Sequence, residues 1–239
     1  MHVFLSPHFD DAVLGCGGLI ADLTEHGQDV LVITIMAGEP PSPLPATPIV
    51  KTLHQRWGAG YNPVAVRRDE DWQALSCLKA QAQHLEIPDC VYRTNADGGA
   101  FYPSEESLFA NVHPDDERLI ETLPALPETS SHLYVPLGVG HHVDHQIVRN
   151  YGLFVRRDRA GVSLRFYEEY PYSVSEEART RALNELKQIA ALQLNEERVT
   201  LSEAQVDAKI EAIACYRSQI STFWEDVDDM AHSTRMAMT

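Results

Sequence analysis

The sequence predicts a layered α/β domain built on a mostly parallel sheet, and three observations favour this class. Residues 3–5 form a short apolar run that leads into a polar, glycine-rich turn. A helical pattern follows through Leu19, Ile20 and Leu23. Residues 29–36 are a continuous β-branched run, which is typical of a strand buried on both faces of a parallel sheet. Strand, helix and strand in this order predict a βαβ unit.

The rest of the chain continues the alternation. The segment 39–48 contains five prolines and therefore predicts a loop. Ser202 and Gln205 have the spacing of a capping box, which opens a last long helix. Residues after Asp226 resemble a frayed tail. Helices are predicted over residues 67–84, 108–123, 143–155, 176–191 and 202–220, and strands over residues 90–92, 133–137, 163–168 and 198–201.

Composition limits the classes of partner and compartment. The 239 residues suit one large domain or two small ones. A net charge of −16 repels phosphate backbones, so we expect no nucleic-acid partner, whereas a neutral or cationic small molecule is tolerated. No apolar run reaches the roughly 20 residues that a membrane helix needs. The cysteines are scattered without a C-x-x-C pair, which favours a reducing, cytoplasmic location and small buried side chains.

Two polar turns carry the chemistry. The segment 6–18 places His8, Asp10 and Asp11 directly after the first strand and before a glycine-rich helix start. Adjacent carboxylates point different ways in a turn, so one of them can bind a metal while its neighbour faces the reactive centre, and His8 and Asp11 can reach one point. Sites in such sheets form beyond the carboxyl ends of the strands.

The second turn, residues 138–145, follows the fourth strand. His142 and His145 are three residues apart and share a face at a helix start. His8, Asp11 and His145 together offer two imidazoles and one carboxylate, a ligand set typical of catalytic zinc with one position left for water. Either motif alone is a weak signal, and a lone His-x-x-Asp is usually a capped turn. The two together, each after a buried strand of one sheet, favour a shared metal site. A phosphate-binding loop is the other reading, but no G-x-G-x-x-G or Walker lysine is present.

The two turns resemble the P-H-P-D-D and G-H-x-D-H signatures of the PIG-L (LmbE-like) N-deacetylases. Four further segments are similar to that family. They are Arg67-x-x-Glu70 with Ala74, Pro88-Asp89 to Arg93, residues 167–172, and residues 209–219. Phe9 and Ala12 depart from the signature, and His141 is an additional histidine beside it.

The resemblance implies a Rossmann-like three-layer sandwich and a single domain over residues 1–239. In it, residues 163–225 complete the substrate pocket and residues 226–239 form the tail. One zinc ion and hydrolysis of an N-acetyl group on a glucosamine-type sugar are expected. Whether the protein forms a homo-oligomer is left open. The implied roles are metal ligation by His8, Asp11 and His145, general base catalysis by Asp10, oxyanion stabilisation by protonated His142, and orientation of a ligand by Asp144. Arg67, Glu70, Asp89 and Arg93 are weaker candidates for substrate contact, with structural salt bridges as the equal alternative.

Three alternatives and one decoy accompany this interpretation. The alternatives are an amidase for a larger acyl or thiol-conjugate amide, a non-catalytic zinc or carbohydrate-binding domain, and a nucleotide-binding domain. The decoy is residues 113–117, His-Pro-Asp-Asp-Glu, which matches the opening signature better than residues around His8. No buried strand precedes His113 and no glycines follow Glu117, so we expect a helix cap there instead.

Overall fold

A parallel sheet forms the centre of the computed structural model, which describes residues 1–57, 62–159, 161–190 and 192–238. Its strands are β1 (His2–Ser6), β2 (Val30–Thr34), β3 (Gln81–His84), β4 (His132–Pro136) and β5 (Ser163–Tyr167). They lie in the order β3-β2-β1-β4-β5, and every neighbouring pair is parallel.

Helices of very different length connect the strands and follow the last one. They are α1 (Asp11–Glu25), α2 (Pro48–Trp57), α3 (Pro63–Cys77), α4 (Glu105–Leu108), α5 (Pro114–Glu117), α6 (Leu119–Thr122), α7 (Val143–Asp158), α8 (Glu176–Ile189), α9 (Glu203–Ile213), α10 (Arg217–Phe223) and α11 (Val227–Met238). None of the described helices is long and apolar enough to cross a membrane.

Alternate side chains of β1 enter two separate hydrophobic layers. Phe4 packs with residues of α1, α3 and α9 on one face of the sheet. Val3 and Leu5 pack with Ile147 and Val148 of α7 on the other face. All of these side chains are fully buried, which explains why the strand is apolar throughout. The expected three-layer α/β sandwich is therefore confirmed, and its described sheet is wholly parallel.

The strand order creates a crevice at the carboxyl ends of β1 and β4. The chain passes from β1 outward through β2 to β3, and then returns to the other side of β1 as β4. The connections that leave β1 and β4 thus turn to opposite faces of the sheet. Such a place is a topological switch point, and ligands of open α/β sheets bind there. Ser6 ends β1 and Pro136 ends β4. Both motif turns therefore begin at the same place in the fold.

Several predicted elements around the sheet were wrong. The helix predicted over residues 67–84 begins earlier, after the cap Asn62, and ends at Cys77. Two residues further on, Lys79 adopts a left-handed backbone with φ of 55°. Residues 81–84 form the edge strand β3 instead. The strand predicted over residues 90–92 is a 3-10 turn, because the Asp89 carboxylate accepts the Val91 N–H and starts a helical turn.

The second half of the chain also differs from the prediction. The helix expected over residues 108–123 is divided into short turns, since Pro114 starts a new one, and residues 198–201 form no strand. The capping box at Ser202 is present, but the last long helix breaks after Ile213. The expected tail is α11, anchored by the fully buried Met230. The predicted helix end at Ala191 lies outside the described residues.

Candidate metal centre and active site

Three predicted ligands converge where the β1 and β4 turns meet. One carboxylate oxygen of Asp11, Oδ2, lies 3.2 Å from Nδ1 of His8 and 3.3 Å from Nε2 of His145. The same oxygen accepts the backbone N–H of His8 at 2.8 Å. Burial raises the pKa of Asp11, but the His145 imidazole and hydrogen bonds from His145 and His8 outweigh burial and hold this pKa well below its ordinary value. Asp11 is thus an anionic centre between two imidazoles.

The far nitrogen of each imidazole is fixed by a buried carboxylate. Nε2 of His8 lies 3.0 Å from Asp144, and Nδ1 of His145 lies 3.1 Å from Glu169. Both carboxylates are at most 1% exposed. Such carboxylate–histidine pairs orient metal-binding imidazoles and make them better ligands. The nitrogens left to face a metal are therefore the two that approach Asp11.

The donor set of His8, Asp11 and His145 fits a zinc ion in chemical type. This Asp11-centred set is not among the three groups of described residues whose ligand atoms all lie within 4.8 Å of one another. They are His8–His142–His145, Cys90–His142–Asp144 and His8–Asp89–Asp144. Burial raises the pKa of the Cys90 thiol well above its ordinary value, which opposes formation of the thiolate that binds metal. Asp144 already binds His8 and Arg93. His8–His142–His145 is the alternative set, and we favour the Asp11-centred set because it adds a carboxylate that both imidazoles approach.

His142 is arranged as a hydrogen-bond donor. It caps α7, and its Nδ1 accepts the backbone N–H of Asp144 at 3.3 Å. The ring proton therefore sits on Nε2. Burial, with the nearby His8 imidazole, lowers the pKa of His142 to about 3. In the metal-free chain this favours a neutral imidazole with an Nε2–H donor, where the family resemblance led us to expect a protonated one. The ring centres of His142 and His8 are 5.0 Å apart.

Asp10 is buried beside the metal ligands and contacts a cation. Its Oδ1 lies 3.6 Å from the Arg67 guanidinium, which also lies over the Phe9 ring at 5.6 Å. Burial raises the pKa of Asp10 above its ordinary value, although Arg67 opposes the shift. A carboxylate with a raised pKa is better suited to take a proton near neutral pH. Arg67 therefore lies close enough to Asp10 to orient it.

The family comparison extends over most of this chain. The PIG-L family, described as GlcNAc-PI de-N-acetylase, matches residues 3–155, which include both motif turns. The chain belongs to the PIG-L family.

Three proteins that are similar to this PIG-L chain are named as deacetylases. The 2'-N-acetylparomamine deacetylase of Niallia circulans is 30% identical over 186 residues, which cover 71% of this chain and 66% of the relative. The zinc-inhibited form of teicoplanin deacetylase has a TM-score of 0.74 at 23% identity and covers 97% of this chain and 89% of its own. A deacetylase–teicoplanin complex has a TM-score of 0.71 at 25% identity, and the match covers 91% of this chain and 87% of the chain in the complex. The chain spans slightly less than two thirds of the first relative.

Two of the four predicted substrate contacts of the PIG-L chain have structural partners instead. Both carboxylate oxygens of Glu70 accept hydrogen bonds from Ser218, one from its backbone and one from its hydroxyl. Arg93 binds Asp116 through two nitrogens at 2.8 and 2.7 Å, and also binds Asp144. The remaining two face the site. Arg67 contacts Asp10 as described, and Asp89 Oδ2 lies 3.6 Å from Nε2 of His8.

The decoy motif is a helix cap. His113 caps α5 through its Nδ1, and Asp116 is buried against Arg93 and the Tyr102 hydroxyl. The extra His141 turns away from the ligands, with its Nε2 3.2 Å from Glu185 on α8. The register that pairs His142 and His145 with the family signature is therefore the one that reaches the site.

Sequence reasoning missed Glu169 and Asp116 as members of the site. Glu169 accepts the N–H groups of Gly138 and Val139 in addition to holding His145. Asp116 holds Arg93, which in turn holds Asp144. The only signal for Glu169 was its place between aromatic residues after the last strand, in a segment with a family resemblance. Neither role follows from local spacing, because each partner lies more than 20 residues away.

Two exposed aromatic rings flank the cluster. Phe109 is 40% exposed and meets the edge of His142 at 5.4 Å between ring centres. Tyr172 is 37% exposed and packs over Gly140, where an added Cβ would lie 3.4 Å from its ring. Burial and the charges of Asp11 and Asp10 raise the pKa of the Tyr172 phenol. Apolar ring surface is therefore open to solvent next to the reactive groups.

Proposed function

We propose that this protein is a zinc-dependent hydrolase that removes an N-acetyl group from an N-acetylglucosamine-type sugar or its conjugate. The products are acetate and a free amine. The observation that carries the proposal is the convergence of two carboxylate-backed imidazoles on Asp11, with a second carboxylate, Asp10, buried beside them. The deacetylase activity in the names of its relatives supports the reaction class.

His8, Asp11 and His145 would hold the metal. Zinc, when bound, supplies the Lewis acidity that polarises an amide carbonyl and lowers the pKa of water. Asp10 takes a proton from the attacking water and returns it to the leaving nitrogen. The amide C–N bond can then break with release of a neutral amine. Nε2–H of His142 donates to the oxygen that becomes negative during attack. Removing such a donor typically slows the reaction about 10²–10³-fold.

The mouth of the site favours a sugar substrate. Phe109 and Tyr172 present ring faces beside His142 and Gly140, and carbohydrate C–H surfaces pack on such rings. The net charge of −16 also favours a substrate that is neutral before the reaction or carries amino groups. An amidase for a larger acyl group is the second candidate, because it needs the same reactive groups, and only the released acid distinguishes the two.

A pair of neighbouring aspartates provides the sharpest test. Asp10→Asn should keep one zinc per chain and lose acetate release from N-acetylglucosamine conjugates by at least about 100-fold, since only the base is removed. Asp11→Ala should lose both zinc and acetate release. His113→Ala is the control, since that histidine belongs to the decoy motif and should leave both measurements near those of the unaltered protein.

Each outcome decides a separate claim. Near-normal acetate release by Asp10→Asn would refute the general-base role. Full zinc content in Asp11→Ala would remove Asp11 from the ligand set. Release of a longer acid and no acetate by the unaltered protein would favour the larger-acyl amidase. Loss of zinc in His113→Ala would contradict the placement of the metal at the β1 and β4 turns.

A further inference from the structure

Two cysteines lie side by side far from the proposed metal centre. The Sγ atoms of Cys77 and Cys215 are 4.0 Å apart, although 138 residues separate them in sequence. Cys77 is exposed and Cys215 is partly exposed, whereas Cys16 and Cys90 are buried. The expectation that the cysteines are small buried side chains therefore holds for only one pair. Cys77 and Cys215 are available to reagents in solution.

Both cysteines are attached to segments that are held together by other contacts. Cys77 ends α3, and Cys215 lies between α9 and α10. The residue after Cys215, Tyr216, donates its hydroxyl to Asp71 of α3 at 2.6 Å, and Ser218 binds Glu70. These hydrogen bonds hold the helix that ends at Cys77 against the segment that begins at Cys215. Their proximity is thus a property of the packed core.

We propose that Cys77 and Cys215 form a reversible redox modification site, at which a low-molecular-weight disulfide converts the two thiols into an intramolecular disulfide. A disulfide bond is about 2.05 Å long, so the sulfurs must approach by about 2 Å, within the reach of side-chain rotation. Reversible disulfides of this kind are the usual form in reducing compartments, where persistent ones are rare.

The reaction balances in two exchanges. The thiolate of the more exposed Cys77 attacks the reagent, whose S–S bond breaks and whose first half leaves as a thiol with the proton from Cys77. The Cys215 sulfur then attacks the Cys77 sulfur of the mixed disulfide, and the second half leaves as a thiol with the proton from Cys215. The protein loses two electrons, and one reagent disulfide becomes two thiols.

The second exchange is favoured by the position of Cys215. Burial, and then the neighbouring Cys77, raise the pKa of the Cys215 thiol to about 11, so the more exposed Cys77 is the sulfur that reacts first with the reagent. Once Cys77 is bound in a mixed disulfide, its sulfur can no longer become charged, so it no longer raises the pKa of Cys215. The short distance between the sulfurs then makes the attack intramolecular.

Oxidised glutathione is the probe, applied to the full-length reduced protein. Thiol titration under denaturing conditions should fall from four thiols per chain to two, and peptide mapping should find Cys77 joined to Cys215 without bound glutathione. A dithiol reductant should restore four thiols. Cys215→Ser should instead retain glutathione on Cys77. Persistent glutathione on Cys77 of the unaltered chain, or four remaining thiols, would overturn the proposal.

Thermal unfolding provides a second readout that does not depend on deacetylation. The bond closes a long loop between elements that separate on unfolding, so the oxidised chain should melt about 5–10 °C above the reduced chain. Cys77→Ser, treated in the same way, should show no such rise. An unchanged melting temperature in a chain with two titratable thiols would contradict the claim that the native packing already positions the sulfurs for bonding. The metal-site proposal is untouched by either result.

Discussion

The substitution Glu169→Gln tests whether a buried carboxylate holds the metal-binding geometry. Glu169 is 1% exposed and accepts three hydrogen bonds. Its Oε1 accepts from Gly138 N–H at 2.7 Å and lies 3.1 Å from Nδ1 of His145, while its Oε2 accepts from Val139 N–H at 3.1 Å. Glutamine has the same shape but only one oxygen. Its NH₂ group must therefore face at least one of these donors.

The expected losses follow from that mismatch. A buried N–H group without an acceptor costs about 1–3 kcal/mol in the free energy of unfolding. Removing the carboxylate behind a ligand imidazole typically weakens metal affinity about 10- to 100-fold. We therefore expect Glu169→Gln to be less stable by about 1–3 kcal/mol without metal, and to bind zinc more weakly by that same 10- to 100-fold factor.

Urea denaturation of the metal-free protein measures the first loss, and calorimetric zinc titration measures the second. The preceding residue offers a matched control, because Glu168 is partly exposed and pairs with Arg179 at the surface. Glu168→Gln should change stability by less than about 0.5 kcal/mol and leave zinc affinity unaltered. Wild-type zinc affinity in Glu169→Gln would refute the reasoning, since His145 would then be oriented without its carboxylate.

Three further predictions test other parts of the molecule. Burial lowers the pKa of Lys209 from its ordinary value of 10.5 to about 8, so the unfolded chain holds an extra proton between these pH values and stability rises with pH across that window. Lys209→Met should therefore stabilise the protein by up to about 3 kcal/mol below pH 8, a gain that urea denaturation should show fading towards pH 10.5. Asp116→Ala should weaken zinc binding in calorimetric titration, because Arg93 would lose one of its two buried carboxylate partners and would hold Asp144 less firmly. The exposed Asp115→Ala should not weaken it, and equal affinities would contradict the Asp116–Arg93–Asp144 link. Phe109→Ala should raise KM for N-acetylated sugars with little change in kcat, and steady-state kinetics with an unchanged KM would argue against ring stacking.

The buried strands and the two motif turns were predictable because their signals are local. A β-branched run such as residues 30–34 has few alternatives to a buried parallel strand, and a polar turn after it must lie at the edge of the sheet. The convergence of His8, Asp11 and His145 then follows from topology, once β1 and β4 are neighbours. These parts of the fold and of the site can therefore be predicted without knowing which residues are in contact over long distances in the sequence.

The elements that were mispredicted depend on contacts that a local pattern does not contain. β3 has the sequence Gln-Ala-Gln-His and no apolar run, and it is a strand because it pairs with β2 over Leu31 to Thr34. The C-terminal helix α11 has a mixed composition, but Met230 is fully buried in the layer beside α1. Glu169 belongs to this class as well, since its importance lies entirely in the donors that the β4 turn brings to it.

The decoy motif separates what local sequence determines from what it does not. His113 and His142 have nearly identical backbone angles, with φ and ψ of −64° and 134° for His113 and −63° and 135° for His142. Each histidine caps a helix by accepting, at Nδ1, the N–H of the aspartate two residues later. In both cases this leaves Nε2 as the donor nitrogen. The local chemistry is thus the same at both positions. His142 alone follows a central strand at the point where the chain reverses direction across the sheet. Its ring therefore lies 5.0 Å from that of His8 and 5.4 Å from that of His145, whereas His113 stacks on Phe101. The local sequence thus forms the same histidine cap at two positions. Only His142 lies in the site, because β4 is the neighbour of β1 in the sheet.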